Sequence, residues 1–75
     1  MKEGYIVWNE SSIQSEFFGV FRKYAQAEQH LRRIARTRLG HCPRNFDKMI
    51  DELDELGQGY DSYKITYFVK NEGEE

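Results

Sequence analysis

Residues 17–40 read FFGVFRKYAQAEQHLRRIARTRLG, and the change of period inside this stretch decides the fold. Phe17, Phe18, Val20 and Phe21, with Gly19 between them, form the short aromatic run of a strand. From about Lys23 the apolar residues recur at helical spacing. Tyr24, Ala27, Leu31, Ile34 and Ala35 fall on one stripe, which predicts an amphipathic helix ending at Leu39. Its start is poorly capped, because Arg22 and Lys23 stand where Ser, Thr or Asp is preferred. Its end is well marked, with Gly40 as a C′ stop and Pro43 as a further breaker.

Outward from this stretch the signals stay short and alternate in type. Tyr5-Ile6-Val7-Trp8, bounded by Gly4 and Asn9, reads as a first strand, and Asn9 to Ser15 as a polar loop. Asn45 caps a second helix whose stripe is Phe46, Met49, Ile50, Leu53 and Leu56, ended by Gly57. Ser62 to Lys70 is a third strand with Tyr63, Ile65, Tyr67 and Val69 on one face and Lys64, Thr66, Phe68 and Lys70 on the other. The order ββααβ predicts a single α+β domain over 1–70, a three-stranded, mainly antiparallel sheet with an αα-hairpin packed on one face. In this reading the third strand pairs antiparallel with the second or parallel with the first. Residues 71–75, Asn-Glu-Gly-Glu-Glu, read as a disordered acidic tail.

A domain of 75 residues has a core worth only about 3–5 kcal/mol, and natural domains of this size usually add a staple. A lone Cys42 forbids an internal disulfide and fits a reducing compartment. Cys42, His30 and His41 do not make up a zinc ligand set, and no cofactor is implied. Oligomerisation, a homodimer in the simplest case, is the staple that remains. No apolar run reaches membrane-spanning length, and Met1-Lys2-Glu3-Gly4 does not read as a signal peptide. The expected location is the cytoplasm of a bacterium or, from size alone, of a cell infected by a virus. Cys42 beside His41 is a poor catalytic dyad, since neighbours in a turn seldom face each other and no third group orients them. The chain reads as a binder, not an enzyme.

Charge sharpens that reading. Residues 22–48 carry eight Lys/Arg against Glu28 and Asp47, a balance of +6; residues 49–75 carry eight Asp/Glu against Lys64 and Lys70, a balance of −6. Such polarity bears on partners rather than on fold. On the second helix Asp47, Asp51 and Glu55 recur at i, i+4 and i+8 with Asp54 beside them, and like charges at this spacing cost a helix about 0.2–0.5 kcal/mol per pair. This acidic face is the expected contact of an adaptor or inhibitor, of the kind a phage or mobile element encodes, with another protein that presents a basic surface. The alternative is a nucleic-acid binder using Arg32, Arg33, Arg36, Arg38 and Arg44. Arg32, Arg33 and Arg36 lie opposite the Leu31 stripe. Arg38 falls almost on the stripe, where it snorkels or pairs with an acid of the second helix.

The sheet adds one more expectation. Two helices cover one face, and the first two strands are apolar on both, with Phe17 and Phe21 on one side of the second strand and Phe18 and Val20 on the other. The uncovered face therefore keeps Phe68 with apolar residues of its neighbours, a patch of the kind that marks an interface. Homodimerisation through this face or an edge strand is the leading reading, and a base-stacking platform for single-stranded RNA is the sharper alternative. The acidic total, with a pI near 5.7, and the lack of an RNP-like run weigh against the platform.

Overall fold

β1 (Lys2–Asn9), β2 (Glu16–Phe21), α1 (Tyr24–Leu39), α2 (Phe46–Leu56) and β3 (Tyr63–Lys70) follow one another in a computed structural model that describes residues 2–70. The expected tail, 71–75, lies outside the described residues. The sheet order is β2-β1-β3 and both pairings are antiparallel. β1 is longer than the Tyr5–Trp8 run because it is the centre of the sheet. The ladder to β3 draws in Lys2 and Glu3, opposite Lys70 and Val69.

α1 starts without an Asp or Ser cap, and the Gln26 side chain supplies the missing acceptor by taking the Lys23 N–H at 3.4 Å. Gly40 ends the helix in the left-handed region at φ 81°, its N–H bonded to Arg36 O. Asn45 caps α2 as expected, its Oδ1 accepting Lys48 N–H at 3.0 Å. The core consists of Val7, Ala27, Leu31, Ala35, Met49, Leu53 and Tyr63, so each helix turns its apolar stripe to the same side of the sheet.

Two features depart from the expected arrangement. The helices do not form an αα-hairpin. Arg32 of α1 donates to the carbonyls of Pro43 (2.8 Å) and Arg44 (3.0 Å), so the connection 40–45 runs back along α1 before α2 begins. The last turns of both helices then meet at one place, where Arg38 and Asp54 each bond Tyr63. α1 and α2 therefore run in the same sense. β3 leaves α2 at the end of the sheet where β1 finishes, Asn9 opposite Tyr63, and it pairs with β1 antiparallel instead of parallel.

The second departure is a β-bulge. Val7 faces Gly19 but Trp8 faces Phe17, which leaves Phe18 as an extra residue on β2. The bulge changes the phase of the strand. Phe18 and Phe21 pack against the core, whereas Phe17 and Val20 lie on the side away from the helices, 66% and 53% exposed.

Candidate binding surfaces

At the junction of β1, β2 and β3 with the helix ends, a polar cluster closes the fold. Asn9 is buried, its Oδ1 accepting Ser62 N–H at 2.9 Å and its Nδ2 donating to Glu16 Oε1 at 3.3 Å. Glu16 also accepts from Arg38, at 3.1 Å and 3.3 Å, and Arg38 donates to the Tyr63 hydroxyl. The guanidinium sits over the rings of Phe18 and Tyr63, 5.4 and 5.7 Å from their centroids, and these two rings stack. The bond from Arg38 holds the Glu16 carboxyl below its ordinary range, while burial pushes the Tyr63 hydroxyl up. Sequence reading placed Asn9 at the edge of a loop and gave Glu16 no role. The signal in each case is a polar residue at an inward position of its strand.

The five arginines divide accordingly. Arg38 pairs with Glu16 of β2 and Tyr63 of β3, not with an acid of α2. Arg32 is fully engaged, by Glu28 at 3.0 Å one turn earlier and by the two loop carbonyls. Arg33, Arg36 and Arg44 are exposed. Of the five expected arginines, Arg32 and Arg38 are engaged by internal bonds.

The acidic face divides less. Asp54 is half-buried, and its Oδ1 accepts the first N–H of β3, from Tyr63, at 3.0 Å. Desolvation raises its carboxyl despite that bond. Asp47, Asp51 and Glu55 are exposed, and their side chains make no hydrogen bond or ion pair among the described residues. The other described Glu residues are held within the fold. Glu3 accepts from Tyr67, Glu10 meets Lys64, Glu16 meets Arg38, Glu28 meets Arg32, and Glu52 meets His41. Of the described carboxylates left open, Asp47, Asp51 and Glu55 lie on one helix at one-turn intervals, and Asp61 lies in the segment before β3.

The thiol and imidazoles are in structural surroundings. Cys42 lies near Pro43 O (3.6 Å) and Met49 Sδ (3.8 Å), and His41 Nε2 meets Glu52 Oε1 at 2.9 Å. His30 is half-buried with its ring 5.1 Å from that of Phe21. Among the described residues no helix is long and apolar enough to cross a membrane. Comparison with protein-family models, curated proteins and solved structures finds no match to this chain.

Proposed function

We propose that the chain is a small non-enzymatic binding module, an adaptor or inhibitor, that docks on another protein through the acidic ridge Asp47, Asp51 and Glu55. One observation carries this reading: these carboxylates lie in line on α2 and form no ion pair among the described residues, while the other described glutamates bond to a basic, phenolic or imidazole group. Glu55, in the last turn, even opposes the helix dipole. A helix kept for stability alone gains from lysines at such positions. The ridge fits a basic surface, where charge complementarity speeds encounter and rejects wrong partners.

The test is capture by the immobilised wild type and by the double variant Asp51→Lys, Glu55→Lys, from the cells that express the chain. The wild type is expected to retain a basic protein that high salt releases. The double variant is expected to lose it while gaining about 0.2–0.5 kcal/mol from the repulsion removed between positions 47 and 51, positions 51 and 55 staying like-charged. Equal capture by both chains, or none by either, sets the proposal aside.

A further inference from the structure

The side of the sheet away from the helices is lined by Ile6 and Trp8 of β1, Phe17 and Val20 of β2, and Thr66 and Phe68 of β3. Its aromatic rings do not stand off the sheet. The Trp8 indole N–H donates to Thr66 Oγ1 at 2.8 Å, which pins the indole toward β3. Phe68 leans the other way, over Gly4 of β1: a Cβ at Gly4 would come within 2.9 Å of its ring. Both rings therefore lie down across the β1–β3 seam. Their positions are four residues apart along the ladder, about 13 Å at strand rise, and Phe17 sits opposite Trp8 on β2.

The charges on this side are mainly positive among the described residues. Lys2, Lys64 and Lys70 project from the strands at positions that share its parity, and Arg22 follows β2. Lys2, Arg22 and Lys70 surround a shallow concavity of about 650 Å³ against Val20, Phe21 and Phe68, with Glu3 the one carboxylate among the described residues that line it. At the other end Lys64 stands 5.6 Å from the Trp8 ring centroid and pairs with Glu10. A second copy stacked through the same face brings these cations against their own kind, because an isologous contact repeats one patch on both sides. An acidic peptide answers the charge but gives the rings nothing to stack on. A single nucleic-acid strand supplies both, a phosphate and a π-face in every unit. The net charge of −2 does not oppose this, since the exposed acids of α2 lie on the helical layer.

We propose that the open sheet face binds single-stranded nucleic acid, with bases stacked on Trp8, Phe17 and Phe68 and phosphates held by Arg22 and Lys70. The site is separate from α2 and from the arginines of α1.

Trp8 is the only tryptophan, so its emission reports the site directly. Titrating a fluorescein-labelled oligothymidylate of about 12 nucleotides at low salt is expected to raise anisotropy and quench Trp8 over the same concentration range. Phe17→Ala, at an exposed position, is expected to weaken binding about fivefold or more, and Arg22→Glu with Lys70→Glu about tenfold or more, with folding checked by circular dichroism. Arg33→Glu with Arg36→Glu, and the Asp51→Lys, Glu55→Lys chain, are expected to bind at least as well as half the wild-type affinity. Affinity is expected to fall as salt rises, with a slope near −0.7 for each phosphate engaged. An absent signal at low salt overturns the proposal. So does loss of binding in the Arg33/Arg36 variant with the sheet variants intact, or equal competition by polyglutamate. A salt-resistant dimer whose Trp8 emission ignores the oligonucleotide also overturns it, and assigns the face to a second copy.

Discussion

Arg38 joins three elements through one guanidinium, and the two carboxyls around Tyr63 shift in opposite directions for different reasons. Glu16 is lowered, chiefly by the bond from Arg38, so its contribution to stability is present above its unfolded value and is lost as pH falls through the folded one. Asp54 is raised, chiefly by desolvation, so it carries a penalty at neutral pH that is relieved as pH falls. The two partly cancel as pH falls through the ordinary carboxylate range. Asp54→Asn keeps an Oδ1 acceptor for Tyr63 N–H and removes the penalty. It is expected to be at least as stable as wild type at neutral pH and to lose stability more steeply in acid. Arg38→Met is expected to cost up to about 1 kcal/mol at neutral pH, since Glu16 is 43% exposed and well screened, and to flatten the acid limb. Urea midpoints measured from neutral pH downward check both, and parallel curves for all three chains contradict the assignment. The helical wheel singled out Arg38 as unlike its neighbours. It did not name Glu16, which is 22 residues away and reaches Arg38 only after β2 has paired with β1.

At the scale of the element, one inserted residue settles which face each phenylalanine of β2 occupies. Parity groups Phe17 with Phe21 and Phe18 with Val20, and that grouping holds only for an unbroken ladder. With the bulge at Phe18, Phe18 joins Phe21 against the core and stacks on Tyr63, while Phe17 joins Val20 outside. The sequence shows no signal for the insertion, because Phe17 and Phe18 are identical in type and only the tertiary environment selects between them. Phe18→Ala is expected to cost about 2 kcal/mol, less than a fully buried ring because Phe18 is only half-buried. Phe17→Ala is expected to stay within about 0.5 kcal/mol of wild type. Equal losses in urea melts of the two variants contradict the bulge as described. The same limit applies to the sense of α2. The helix, its cap and its stripe are legible from Asn45 to Leu56. Its direction relative to α1 depends on Arg32 holding the carbonyls of Pro43 and Arg44, a bond that spacing does not display.

For the whole molecule, the change of period at Arg22–Tyr24 was enough to place two strands before two helices and a strand after them, and so to give the α+β class. The surface was less legible, because charge counted along the chain is redistributed by folding. The basic segment loses Arg32 and Arg38 to internal bonds, while Lys2, Arg22, Lys64 and Lys70, scattered over 69 positions, come to one side of the sheet. Folding to this point relies on very few buried side chains. Seven of the described residues form the core, two of them alanines, and Leu31 is the large one that α1 contributes. A chain of this length has a stability of about 4–11 kcal/mol, and small single cores fall at the low end of that range. Replacing a fully buried leucine by alanine removes about 2–5 kcal/mol, the greater part of the total. Ala27 and Ala35, which flank Leu31 on the stripe, have no side chain long enough to fill the space. Leu31→Ala is therefore expected to populate the unfolded chain at room temperature, seen as lost far-ultraviolet circular dichroism and a urea midpoint close to zero. A cooperative transition near the wild-type midpoint contradicts this and moves the stabilising contacts to the polar cluster at Arg38.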